Sequence, residues 1–365
     1  MRTWPLVGRC GELGGIAAAV ADPAVRAVVI TGPAGIGKTR LLDEVAGWAE
    51  GAGHGVVRVR ATASAASMPL AAVQALLPDE GGHASHRELL AAAVSALRRR
   101  HERGAGRLLV TVDDAHLLDD ASATLVHALC AGGGPLVVAV VRAGARAPDA
   151  VAALWKDFDA DRVELGPLSD AEVAALLARA LGGPVEGRSA HRVTAISGGN
   201  PLLVREIVRA AQRSGGLVRD VDGLWRLAEA LPRSLRLEQI VEEQVRGVGR
   251  GARLAVDALA LVGPLALDLL VRHAGRDAVA EAEAAGLVRV LTDGRRRVVE
   301  LSHPLYAEVL SAGQPRLRAQ DLHAALAEIL NATGLRRRGD LARLARWQLA
   351  AGLLPDRPAL VDAAV

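Results

Sequence analysis

From residue 27 to about residue 165, short runs of aliphatic residues alternate with stretches whose apolar positions recur at helical spacing. Segments 27–31, 55–60, 108–112, 136–141 and 162–165 read as five buried strands, with helices over 38–50, 86–101 and 121–130 between them. Continuous apolar runs of this length, separated by helices, predict a parallel sheet covered on both faces. The expectation for residues 1–166 is therefore a doubly wound α/β domain.

Past Pro167 the pattern becomes helical. Ser169-Asp-Ala-Glu172 has the form of a capping box opening a helix through Leu181, which Gly182-Gly183-Pro184 ends. A second helix leads to Gly198-Gly199-Asn200, and a third starts with Pro201 in its first turn. Residues 167–232 are read as a small helical domain. Over 233–312, helical runs at 252–262, 265–273 and 277–285 precede two β-branched runs, 287–291 and 295–302, around Asp293-Gly294. An Asp-Gly pair so placed signals a hairpin, and three helices with a hairpin predict a winged-helix domain. In 313–365, Leu322, Leu326, Ile329 and Leu330 share one helical face, and Leu341, Leu344, Ala345 and Leu349 another. Two antiparallel helices cannot bury both faces alone, so this segment reads as the start of tetratricopeptide-like repeats. The expectation is a fragment of a longer protein, or one truncated relative to its relatives.

Composition narrows the class. The chain is 51% hydrophobic and 23% charged but only 2% aromatic, so its cores must be built from Leu, Val, Ile and Ala. A formal charge of +3 over 365 residues is too small to argue for nucleic-acid binding. Cys10 and Cys130 cannot make a secreted disulfide framework, and the N-terminus lacks a signal peptide's apolar stretch. The most apolar later run, 254–271, is broken by Asp257, Gly263, Pro264 and Asp268 and is not a membrane span. A cytoplasmic protein is expected. Of 44 Lys and Arg residues only Lys38 and Lys156 are lysine, so a lysine inside a glycine loop points to a chemical demand.

That loop carries the main chemistry. Gly32, Pro33, Ala34, Gly35, Ile36, Gly37, Lys38 and Thr39 match G-x-x-x-x-G-K-[ST] in full, between a predicted strand and a predicted helix. Such glycines turn consecutive amides toward phosphate oxygens, and the helix N-terminus adds partial positive charge. Lys38 is expected at the β- and γ-phosphates of ATP or ADP, with Arg40 close by, and Thr39 on Mg²⁺. The strand over 108–112 ends in Asp113 and Asp114, the form of a Walker B motif. Asp113 is expected to support Mg²⁺; Asp114 is the general base if hydrolysis occurs, with Lys38 as its catalytic partner. Arg142 ends the 136–141 strand, expected between the two Walker strands, either as a γ-phosphate sensor or as one more surface arginine.

Further phrases resemble the signal-transduction ATPases with numerous domains (STAND), in particular the large ATP-binding regulators of the LuxR type. Leu6-Val7-Gly8-Arg9-Cys10-Gly-Glu12-Leu13 resembles that family's N-terminal Gly-Arg element, which implies nucleotide contacts from Val7, Gly8 and Arg9. Val112-Asp-Asp-Ala-His116-Leu117-Leu-Asp119 resembles its extended Walker B segment, and Gly198-Gly-Asn200-Pro201-Leu202 its Gly-x-Pro element, whose proline packs on adenine. Leu301-Ser-His303-Pro304-Leu305-Tyr306 is similar to the end of its winged-helix unit. Cys10 stands where the family is often acidic, Leu117 where it is often aromatic, and the C-terminal LuxR-type DNA-binding domain is absent.

The resemblance implies an ASCE-type P-loop NTPase working as a clamp. ADP locks a closed monomer; exchange for ATP opens it and exposes surfaces for homo-oligomer assembly. His303 is implied at the β-phosphate, unless it is a helix-capping or core histidine. DNA would be read only through a domain this chain lacks, because the would-be recognition helix at 277–285 carries Asp277, Glu281 and Glu283 and repels phosphate. Arg295-Arg296-Arg297, Arg98–Arg100 and Arg336–Arg338 read as solvated or helix-end charge runs, and His83, His86 and His101 lack metal-site company. Two classes of function stay open: a nucleotide-gated regulator with weak ATPase activity, and an AAA+ ATPase of the replication-initiator or loader kind acting on DNA.

Overall fold

The computed structural model describes residues 4–77, 86–104, 106–132, 134–158, 160–228, 235–293, 296–335 and 339–354. They form two compact units: Met1–Ala190 with Gly199–Arg205, and His191–Gly198 with Glu206–Val365.

The first unit runs α1 (Cys10–Ala21), β1 (Ala27–Gly32), α2 (Lys38–Gly51), β2 (Gly55–Arg60), α3 (His86–Arg103), β3 (Leu108–Asp113), α4 (Asp120–Gly132), β4 (Leu136–Arg142), α5 (Asp149–Asp157), β5 (Asp161–Glu164) and α6 (Asp170–Leu181). Helix α7 (Gly187–Ser197) follows, and α8 (Pro201–Ser214) begins within the returning segment 199–205. All five strands are parallel, in the order β2-β3-β4-β1-β5. Side chains alternate across a strand, so each apolar run divides between two cores. Val28, Ile30, Leu109, Val138 and Val140 pack with Ile16 of α1 and Leu41 and Val45 of α2. Val29, Val110, Val112, Val137 and Ala139 pack with Leu125 and Leu129 of α4 and Leu154 of α5. This is a doubly wound parallel α/β sheet, helices on both faces.

One guanidinium ties the C-terminus of the N-terminal helix to the start of β3. Arg107 Nη1 donates to the carbonyls of Ala19 (2.9 Å) and Asp22 (2.7 Å), and Nη2 to that of Val25. These are the orphan carbonyls of the α1 C-terminus and of the turn into β1. The capping box at α6 forms in both directions, Ser169 accepting from the Glu172 amide and Glu172 from the Ser169 amide, and Gly182 ends the helix in the left-handed conformation.

Strands β2 and β5 depart from the expectation of five buried strands. They are the two sheet edges, and Arg58 and Arg60 on β2 and Asp161, Arg162 and Glu164 on β5 face solvent, as charged edge strands should.

The second unit contains a two-stranded hairpin, β6 (Leu217–Arg219) and β7 (Trp225–Leu227), within a stretch read from sequence as purely helical. Asp220 closes its turn by accepting from the amides of Asp222 and Leu224. Then come α9 (Leu235–Val245), α10 (Arg250–Val262), β8 (Leu265–Ala266), α11 (Leu267–Ala274), α12 (Arg276–Ala284), β9 (Val288–Asp293), β10 (Arg296–Leu301), α13 (Pro304–Gly313), α14 (Arg316–Asn331) and α15 (Asp340–Ala350). The helix expected over 265–273 is shorter, because Leu265 and Ala266 are extended and pair with Val299 and Val298, giving a sheet in the order β8-β10-β9. Buried Asp257 accepts from Arg253 (3.0 Å) and Arg318 (2.7 Å), while Arg253 also grips Glu242, so one ionic network joins α9, α10 and α14. The Asp293-Gly294 turn residue Gly294, Arg295, Arg336–Arg338, His83 and the expected third C-terminal helix lie outside the described residues. Among the described residues no helix is long and apolar enough to cross a membrane.

Candidate nucleotide site

The loop between β1 and α2 sits where the fold brings three strand ends together. Register pairs Gly32 with Arg142, and the Ala143 amide donates to the Gly32 carbonyl (3.1 Å). Strand β4 thus lies between the P-loop strand and the strand ending in Asp113, as the motif spacing predicts. Gly37 caps α2 at φ 101°, turning the chain sharply so that Lys38 and Thr39 open the helix.

Lys38 is 8% exposed, and its ammonium donates to the carbonyls of Gly32 (2.9 Å) and Pro33 (2.7 Å). Burial pulls its pKa below the ordinary lysine value; Asp114 and Asp113 oppose that shift and Arg142 reinforces it. Thr39 Oγ1 donates to Asp113 Oδ1 at 3.0 Å, and Arg60 lies 3.5 Å from the other carboxylate oxygen. Burial pushes the Asp113 carboxyl upward, and the Thr39 hydroxyl draws it back. A hydroxyl and a carboxylate side by side at the mouth of a phosphate loop are the hard oxygen donors that suit Mg²⁺. Asp114 adopts φ 52°, ψ 42°, unusual for a non-glycine residue, and heads the 3₁₀ turn Ala115–Leu117. That turn carries His116 and Leu117 back onto the site.

These groups border one cavity of about 670 Å³, within the range that takes a nucleotide-sized ligand. Val7, Arg9, Ala34, Gly35, Ile36, Gly37, Lys38, Thr39, Arg40, Asp114, Arg142 and Pro201 all line it. Gly8, Gly32 and Pro33 supply backbone beside the lining residues, and Asp113 reaches the site through Thr39. Its lining includes the polar side chains of Lys38, Thr39, Asp114, His116 and Arg142 and the apolar side chains of Leu6, Val7, Leu168, Leu176, Pro201 and Leu202.

The N-terminal element enters this wall under tight constraint. Gly8 has φ +73°, and a Cβ there would come within 2.1 Å of Glu172 Oε1 on α6. Arg9 is 7% exposed and donates to Glu12 (2.9 Å) and to the Gly166 carbonyl (2.6 Å), joining the start of α1 to the chain leaving β5. Arg40 donates to the Trp4 carbonyl (3.4 Å) and pairs with Glu44 (2.7 Å).

His303 is placed differently from the other sequence candidates. It belongs to the second unit and caps α13, its Nδ1 accepting from the Leu305 amide at 3.2 Å. With Nδ1 an acceptor, the proton sits on Nε2, which donates to the Ser197 carbonyl. Both ring nitrogens are therefore engaged, and burial lowers the pKa, so the ring is a neutral cap.

Sequence reasoning assigned no role to Trp4, His116, Leu168, Leu176 or Arg205, all of which line the cavity. His116 lies within the extended Walker B-like segment Val112–Asp119. Its Nδ1 is buried without a hydrogen-bond partner in the protein, and burial lowers its pKa. A buried orphan nitrogen beside Asp114 is the signal only coordinates give. Among the described residues no group of three or more His, Cys, Asp or Glu is placed to hold a metal.

Residues 5–141 match the family model for the AAA ATPase domain. A search of the curated proteins returns no match. Among solved structures, the chain is similar to a STAND protein with a tetratricopeptide repeat sensor from Pyrococcus horikoshii, at 14% identity and a TM-score of 0.40, covering 96% of this chain and 49% of that one. It is also similar to the ORC1 protein of Aeropyrum pernix in complex with DNA, at 18% identity and a TM-score of 0.44, covering 85% and 94%. Cdc6p from Pyrobaculum aerophilum follows at 15% identity and a TM-score of 0.43, covering 91% and 96%. The chain thus spans about half the length of the STAND structure. With TM-scores under 0.5, these likenesses assign neither fold nor function to this chain.

Proposed function

We propose that this chain is the ATP/ADP-binding switch of a STAND-type regulator of the LuxR kind, in which nucleotide state governs opening and homo-oligomer assembly. The observation that carries nucleotide binding is a cavity whose lining brings Lys38, Thr39, Asp114 and Arg142 together with Val7 and Pro201. The polar lining suits a polyphosphate, and the apolar lining suits a purine base.

The ammonium held by the Gly32 and Pro33 carbonyls is the charge available to the β- and γ-phosphates. Thr39, supported by Asp113, would hold Mg²⁺, which would supply charge neutralisation on the phosphate oxygens. Asp114 takes the proton of a water that attacks the γ-phosphorus as the bond to the bridging oxygen breaks, giving ADP and phosphate. Arg142 lines the same cavity as a sensor of the γ-phosphate. The proposed organisation is a nucleotide domain over 1–166, a helical domain over 167–232, a winged-helix domain over 233–312 and the start of helical repeats over 313–365. The winged-helix reading draws support from the three helices α10 to α12 and the sheet order β8-β10-β9.

A loader acting on DNA is the competing reading, since winged helices commonly read DNA. Helix α12 argues against it: Asp277, Glu281 and Glu283 stand where a groove-reading helix carries basic or amide side chains, and Glu281 is spent on the Gly249 amide. Purified protein tests the two. Identification of the bound nucleotide by mass, with turnover measured with and without DNA, should give retained ADP and slow, DNA-independent hydrolysis. Fast, DNA-stimulated hydrolysis with no retained nucleotide would establish the loader.

A further inference from the structure

Three hydrogen bonds fasten the start of α8 and the turn before it to their surroundings, and two of them fall on the phosphate loop. Asn200 Nδ2 donates to the Ala34 carbonyl at 2.9 Å. The Leu202 amide is shared between Asn200 Oδ1 (3.1 Å) and the Gly35 carbonyl (3.2 Å). The Leu168 amide donates to the Gly199 carbonyl (2.9 Å), holding the turn before Asn200 against the chain that follows β5. Because Pro201 has no N–H, Leu202 carries the first amide of α8 free to donate.

A trans peptide points its C=O and its N–H in opposite directions. Fixing the Ala34 carbonyl toward Asn200 therefore fixes the Gly35 amide away from it, and fixing the Gly35 carbonyl toward Leu202 does the same for the Ile36 amide. Gly35 and Ile36 both line the cavity. We infer that Asn200 is a positioning residue for the phosphate loop, holding the Gly35 amide directly, beside the Leu202 amide that sets the Ile36 amide, in the orientation that receives phosphate oxygens. The inference rests on the nucleotide reading above and deepens it.

Helix capping alone does not require asparagine. A cap needs one acceptor, which Ser, Thr or Asp supplies equally well. What Asn200 adds is a donor at the other end of the same amide, and that donor goes to Ala34. The packing is close enough to exclude alternatives on the loop side, since a Cβ on Gly35 would lie 2.9 Å from Asn200 Oδ1. Orientation set before binding spares the loop an ordering cost when phosphate arrives.

The test compares Asn200→Ser, which keeps a cap acceptor but cannot reach Ala34, with wild type, titrating ADP and inorganic pyrophosphate by calorimetry. Both affinities should fall by the same factor, about tenfold, the loss of one preorganising hydrogen bond. The isosteric Asn200→Asp should fall further, because a carboxylate oxygen would face the Ala34 carbonyl. Unchanged affinities in both variants overturn the inference. So does a loss for ADP that spares pyrophosphate, which would assign Asn200 to the base wall through Pro201. Wild type that binds neither probe refutes the nucleotide reading itself, and the inference with it.

Discussion

Substituting Gly35 by alanine probes the phosphate loop where it packs against α8. The residue sits at φ +75°, and a Cβ there would lie 2.9 Å from both Asn200 Oδ1 and Leu202 Cβ and 3.0 Å from Leu202 Cδ2. Left-handed backbone costs a non-glycine residue about 1–2 kcal/mol. Relieving contacts that short in packed surroundings costs about 1–3 kcal/mol more. Leu202 cannot rotate its own Cβ away, so the loop must shift or α8 must. If the loop shifts, the whole of about 2–5 kcal/mol falls on phosphate binding, roughly a thirtyfold to a few-thousandfold loss at about 1.4 kcal/mol per decade. If α8 yields instead, the same energy lowers the melting temperature. Calorimetric titration with ADP and thermal melting of the same preparation measure both routes. An affinity within about threefold of wild type together with an unchanged melt would refute the geometry.

Other perturbations separate stability from binding. Gly47→Ala, in mid-α2 with open space around its Cβ, should stabilise the protein by about 0.5–1 kcal/mol and leave ADP affinity alone, as melting and titration will show. Arg107→Ala removes the fork that holds the carbonyls of Ala19, Asp22 and Val25. Allowing for water returning to those carbonyls, the loss is about 2–4 kcal/mol, or about 5–15 °C in the melting temperature of the first unit. Arg107→Lys should recover only part of it, since one ammonium cannot span the same carbonyls. In the second unit, burial depresses the pKa values of His303 and His273 below the ordinary 6.5. The unfolded chain therefore takes up these protons first, and stability that is full above that value falls as pH drops through and below it. Melts at about pH 7.5 and about pH 5.5 should show this acid loss, and His303→Asn should reduce it; an identical loss in the variant would remove His303 as a cause.

The parts legible in the sequence were those set by local chemistry. The loop from Gly32 to Thr39 specifies its own turn, and Asp113 follows from an apolar run ending in carboxylates. The position of β4 between the Walker strands, and hence Arg142 beside Gly32, came from motif class and strand spacing. Segments whose structure depends on distant partners were harder to read. Leu265 and Ala266 carry a helical pattern but pair with β10, and the short β6–β7 hairpin is held by Asp220 more than by any β-branched run. At the site, Leu168 and Leu176 look like ordinary core leucines until the fold brings them to the cavity wall. His303 shows the opposite limit. A resemblance pointed it at a phosphate, yet the Leu305 amide two residues away is a nearer partner, and the local cap is what forms.

The central claim is that the loop around Lys38 grips an adenine nucleotide. Calorimetric titration of ADP with magnesium into wild type and Lys38→Ala, each verified as folded by melting, tests it most directly. The account predicts saturable one-to-one binding in wild type and loss of that binding in the variant. Equal heats from the two proteins, or none from folded wild type, would contradict it.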